Sequence, residues 1–80
     1  MKIVIKDIND VLKFTRICQK FDDNIDVTDG HFIVDGKSQM GVVSICTSPD
    51  LDAKILTDDV IQWGAFRTAI REFLAEENGE

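Results

Sequence analysis

Several shortages in this 80-residue chain each remove a class of protein. There are only two cysteines, Cys18 and Cys46, too few for a disulfide framework and not in a C-x-x-C spacing, so both read as free thiols. The one histidine, His31, cannot complete a zinc site. No apolar run approaches the roughly 18 to 20 residues that cross a bilayer, so a soluble chain with no membrane partner is expected. The apolar part of "MKIVIKD" is too short for a secretory signal, which points to the cytoplasm. Basic residues are outnumbered 15 to 9, and the resulting net charge of −6 repels nucleic acid and acidic membranes. No glycine-rich phosphate loop, nucleophile–base pair or metal cluster can be assembled from the sequence. An enzyme is therefore not expected, nor is a cofactor.

What is present suits one small globular domain, residues 1–80, with 44% hydrophobic and 30% charged residues. "KIVIK" puts Ile3 and Ile5 on one face and Val4 on the other, as a strand does. "DINDVLKFTRICQKF" repeats Val11, Phe14, Cys18 and Phe21 at helical spacing, with Lys13, Arg16 and Lys20 off that row, which predicts an amphipathic helix. In "NIDVTDGHFIVDG" the Asp29-Gly30 dipeptide suits a two-residue hairpin turn, pairing Val27 with Phe32 and Ile25 with Val34 on one face. After Ser38, "QMGVVSI" suits a short helix, and Ser48-Pro49 closes it with a turn. "LDAKIL" alternates Leu51, Ala53 and Ile55 inward as a last strand. In "DDVIQWGAFRTAIREFLAEE", Asp59 and Gln62 form a capping-box-like pair, and Trp63, Phe66, Ile70, Phe73 and Leu74 form an apolar stripe on the longest helix. Trp63, Phe14, Phe21 and Phe66 are expected in the core, and the "ENGE" tail is expected to fray. The order is β-α-β-β-α-β-α. Each helix has one face needing cover, so the expected class is α+β, an open-faced β-sandwich of one four-stranded antiparallel sheet with three helices on one side.

That order, together with "KSQMGVVSI", resembles the HPr phosphocarrier family of the bacterial sugar phosphotransferase system, over nearly the whole chain. "QKFDDNIDV" falls on the end of the family's first helix and the start of its next strand, with no gap between there and Ser38. The resemblance implies that Ser38 occupies the place of a regulatory serine phosphorylated by an ATP-dependent HPr kinase, with Lys37, Met40 and Gly41 matching its surroundings. It also implies that Gln39, Met40 and Val43 correspond to an apolar docking patch for enzyme I, sugar transport proteins and a catabolite repressor. Arg16 and Lys20 match positions where the family presents basic residues to acidic partners. On the residues alone, Met40 and Val43 could equally be partial core, Arg16 and Lys20 ordinary solvated charge, and Ser38 simply a helix cap. Cys46 stands where the family has a glycine.

The family carries its phosphoryl group on a histidine in H-A-R-P at the start of the first helix, where this chain reads Asp7, Ile8, Asn9 and Asp10. Phosphohistidine needs an imidazole nucleophile, and its phosphate is offset by the arginine and by free helix amides. Asp7 and Asp10 instead satisfy those amides themselves and repel a second anion. His31 lies beyond the hairpin turn and cannot substitute. The expectation is thus an HPr-like protein that has lost the histidine carrier site and acts as a regulatory or protein-binding module under control of Ser38, with HPr kinase, a transcriptional regulator or phosphotransferase-system proteins as partners. The alternatives are a phosphocarrier with an unusual acceptor such as Asp7, and a purely structural interaction domain.

Overall fold

The computed structural model describes residues 1–75, in the order β1 (Lys2–Ile3), α1 (Ile8–Gln19), β2 (Ile25–Thr28), β3 (Ile33–Asp35), α2 (Gln39–Ile45), β4 (Leu51–Ile55), α3 (Val60–Ala69) and a 3-10 turn (Arg71–Phe73). The four strands form one antiparallel sheet in the order β1-β4-β2-β3. This is the expected α+β open-faced sandwich, with helices over one face. "ENGE" lies outside the described residues.

Strand alternation decides which face is covered. Ile3 and Ile5, Ile25 and Val27, and Leu51, Ala53 and Ile55 are all buried, whereas Val4 is exposed. The opposite face carries Asp26, Asp35, Asp52 and Lys54, which leaves it to solvent. From α1 the buried row is Val11, Phe14, Thr15 and Cys18. Thr15 is the single polar member of the core among the described residues, and its hydroxyl donates to the Val11 carbonyl at 2.9 Å. Phe14 meets Phe73 edge to face with centroids 5.6 Å apart, and Phe21, just beyond α1, meets Phe66 in the same way at 5.5 Å.

The hairpin departs from expectation. Val27 pairs with Val34 and Thr28 with Ile33, so the register is two residues away from Val27–Phe32, and Ile25 lies opposite Gly36. A two-residue turn needs positive φ at both Asp29 and Gly30, and only Gly30 has it, at 94°. Asp29 instead uses its carboxylate to accept the N–H groups of His31 and Phe32, both at 2.9 Å, while the Thr28 hydroxyl accepts from Gly30. These bonds draw four residues into the loop. A shift of two keeps every side chain on its face, so the pattern survives, but Phe32 leaves the strand and is exposed.

α3 also differs. It is shorter than the 12-residue α1, and Asp59 caps it by accepting from Ile61, whereas Gln62 reaches Asp23 at 3.4 Å instead of closing a capping box. Trp63 is 45% exposed rather than core. At 100° per residue Trp63 lies about 40° from the direction midway between Phe66 and Ile70, on the flank of the sheet-facing stripe where cover is incomplete. At Ile70 the helix gives way to the tighter 3-10 turn, which drops Phe73 into the core and leaves Leu74 extended, bridging Ile3.

Candidate functional site

The two ends of interest, the start of α1 and the start of α2, are each built by a side-chain cap. At α1, Asp7 accepts from the Asp10 N–H at 3.0 Å, and Asp10 accepts from the Lys6 N–H at 3.0 Å. Asp7 thus takes one helix amide, while the Asp10 carboxylate takes the N–H of Lys6 just ahead of the helix rather than a helix amide, and each carboxylate complements the helix dipole.

At α2, Ser38 sits in extended backbone and its hydroxyl oxygen accepts from the Gly41 N–H at 3.1 Å. Its N–H donates to the Asp35 carbonyl at 3.0 Å, and its carbonyl takes the first helical bond, from Val42. The hydroxyl is half-buried and uses only one lone pair in the cap, so its proton remains available to a base. Gly41 is needed for this approach: a Cβ there would stand 3.2 Å from Val34 Cβ and 3.3 Å from Ser38 Oγ. The segment before the cap is clamped to the end of α1. Gln19 donates to the Lys37 carbonyl at 2.9 Å, the Lys37 ammonium donates to the Phe21 carbonyl, and the Lys37 N–H to Asp35.

Between the two helix starts runs a groove of about 310 Å³, lined by Ile8, Val11, Leu12, Gln39, Met40, Val43 and Ser44. Met40 is 86% exposed, and Val43 and Ile8 are also open to solvent. The three predicted patch residues Gln39, Met40 and Val43 therefore do share one surface. Ile8 and Leu12 complete it and were not singled out from the sequence. Their i, i+4 spacing beside the Val11 row is the signal that could have found them. Arg16 follows Leu12 by one further turn and is exposed, as is Lys20. Neither belongs to an ion pair among the described residues, where the two pairs are the N-terminal amino group with Asp52 and Lys2 with Asp50.

The remaining candidates lie elsewhere. His31 is exposed in the hairpin loop beside Asp29, whose carboxyl is held below its ordinary range by the Phe32 and His31 amides. Cys18 is a fully buried core residue, and burial pushes its thiol up to about 12, with the Asp35 carboxylate adding to the shift. Such a thiol is inert at neutral pH. Cys46 caps the end of α2 and is half-buried. No group of three or more metal-ligating side chains occurs among the described residues, and no helix there is long and apolar enough to cross a membrane.

No protein-family profile matches the chain, and no curated protein or solved structure matches it significantly.

Proposed function

We propose that this chain is an HPr-like regulatory module of the cytoplasm that has lost the histidine carrier site and binds protein partners through the α1–α2 groove, under control of Ser38. The carrying observation is the placement of a serine-capped helix beside an open apolar groove. Met40, Val43, Ile8 and Leu12 offer a contact surface, and the control point, Ser38, is the cap of the helix that supplies half of it. Arg16 and Lys20 border this region with positive charge that favours an acidic partner such as a transcriptional regulator or a phosphotransferase-system protein. The element order and the one-sided helix layer are those the family resemblance leads one to expect.

Control at Ser38 follows from local electrostatics. Transfer of the ATP γ-phosphoryl group to Oγ forms the Oγ–P bond, releases ADP and a proton, and leaves nearly two negative charges at the N-terminus of α2. α2 has no acidic residue in its first turn, so nothing on the helix itself repels the group there. The same charge beside the groove alters the surface a partner meets. Carrier chemistry at Asp7 has less support, because the Asp7 carboxylate is already engaged with the Asp10 N–H and the Asp10 carboxylate beside it would repel an added anion.

The test is intact-mass measurement after incubation with HPr kinase and ATP. One added phosphate on the wild type and none on Ser38→Ala is the expected result. A wild type of unchanged mass removes Ser38 control, and failure of any catabolite regulator to bind removes the module reading with it.

A further inference from the structure

A sheet edge offers unpaired backbone groups as a template for another strand unless something covers it. The β1 edge is covered: Ile3 bridges Leu74, Val4 donates to the Phe73 carbonyl at 2.7 Å, and Ala75 donates to the Lys2 carbonyl at 2.9 Å. The β3 edge has no such cover among the described residues. The bond from Gly36 N–H to Ile25 O sets 25/36 and, two residues on, 27/34 as the hydrogen-bonded pairs beside β3. By alternation, the backbone groups of Ile33 and Asp35 point outward. Ser38 N–H takes the Asp35 carbonyl. The Ile33 N–H, the Ile33 carbonyl and the Asp35 N–H are left on the open edge. β3 carries no lysine or proline to blunt it, and Ile33 and Phe32 are 70% and 67% exposed. Beside it, between β3 and α2, lies a groove of about 340 Å³ lined by Phe32, Ile33, Val34, Ser44 and Ile45.

We propose that this edge pairs antiparallel with β3 of a second copy of the chain, Ile33 opposite Ile33 on a twofold axis. The segment His31-Phe32-Ile33-Val34-Asp35 is complementary to itself in that register. Ile33 exchanges two backbone bonds across the axis, and each Asp35 N–H meets the carbonyl of residue 31 of the other copy, giving four bonds. Phe32 falls opposite the second copy's Val34 on the helix-bearing side, where its ring enters the groove between β3 and α2. On the open face each Asp35 carboxylate meets the second copy's His31 imidazole rather than another carboxylate. An in-register parallel pairing would instead set Asp35 against Asp35, and a strand of unrelated sequence would have to supply an aromatic ring and a basic group at the same spacing. The result is one eight-stranded sheet across two copies. This surface shares only Ser44 with the lining of the α1–α2 groove and does not depend on phosphorylation of Ser38.

Sedimentation equilibrium of the full chain over a concentration series, with amide exchange followed by NMR, tests the pairing. The mass is expected to rise from 9.0 kDa toward twice that value, with the Ile33 and Asp35 amides gaining protection as it does. Ile33→Pro removes an outward N–H that the single chain does not use, and Phe32→Asp removes the ring from the groove. Each is expected to leave the circular dichroism unchanged and the mass at 9.0 kDa. If Ile33→Pro unfolds, Phe32→Asp carries the test. A wild-type mass fixed at 9.0 kDa at every concentration overturns the proposal, as does a dimer whose Ile33 and Asp35 amides stay unprotected or that survives the folded variants.

Discussion

Replacing Ser38 in two ways separates its role as a cap from any role as a charge site. Ser38→Ala deletes the oxygen that accepts the Gly41 N–H at 3.1 Å, and α2 has only seven residues and two buried side chains, Val42 and Ile45, to hold it. Loss of a serine cap costs about 1 kcal/mol, within a span of roughly 0.5 to 2. Ser38→Asp keeps an acceptor in the same place and adds a negative charge at the positive end of the helix, a gain of about 0.3 to 1 kcal/mol. The Asp35 carboxylate opposes that charge and Lys37 offsets it, so wild-type stability or slightly more is expected for the aspartate variant at pH 7. The two variants should then differ by roughly 1 to 2 kcal/mol. In a domain of this size each kcal/mol moves Tm by about 4 to 8 °C, so the difference is easily read from thermal melts followed by far-UV circular dichroism. Fluorescence of Trp63 gives a second probe of the same transition. An aspartate variant that melts with or below the alanine variant refutes the reasoning, because a carboxylate that cannot be accommodated at this cap leaves no place for a phosphate.

Glycine-to-alanine changes at two positions should act with opposite sign. A Cβ at Gly64 meets nothing within 4 Å, so Gly64→Ala should stabilise α3 by about 0.8 to 1 kcal/mol. A Cβ at Gly36 would lie 2.7 Å from Ile25 Cγ2 and 3.2 Å from the Ile25 carbonyl oxygen, so Gly36→Ala should cost about 1 to 3 kcal/mol through overpacking. Urea titrations of both variants check the pair, and equal shifts of one sign contradict it. Alkaline titration tests Cys18: its folded thiol titrates at about 12 against 9.0 for an unperturbed thiol, so the unfolded chain loses its proton first. Stability should hold below pH 9.0 and fall between there and about 12, with a slope approaching about 1.4 kcal/mol per pH unit from this group. Urea midpoints across that range should show the slope in the wild type and its removal in Cys18→Ala. Phe14 is fully buried against Phe73, and Phe14→Ala should cost about 3 to 5 kcal/mol, enough to leave much of a small domain unfolded by circular dichroism.

Elements with one dominant local signal could be read from the sequence. Leu51, Ala53 and Ile55 alternate cleanly and all three are buried, and Ser38 caps the helix it was expected to cap. The Asp7–Asp10 arrangement at α1 is likewise a short-range matter of donors and acceptors. Where two local preferences compete, the reading fails. Asp29-Gly30 signals a two-residue turn, yet the same Asp29 carboxylate can capture two amides further on, and that capture sets the register. At α3 no glycine or proline marks the change at Ile70, because the pull comes from Phe73 entering the core and Leu74 joining β1. The groove shows a different limit. Helical period gives the angle of Ile8 and Leu12 on α1, but which neighbour crosses that face is decided by the sheet, 30 residues later in the chain, when α2 is laid beside it.

The bridge from Ile3 to Leu74 has a mechanical consequence. Lys2 and Ala75 lie side by side in antiparallel segments joined by a few backbone bonds. Tension applied through these two residues loads those bonds one after another, as in opening a zipper, rather than all together in shear. β1 would peel first and expose β4 as a new edge while the β2–β4 pairing, with its four-residue ladder, still held. A chain tethered at both ends would therefore yield at low force and in steps, whereas the same domain gripped across β2 and β4 would resist until the whole core gave way.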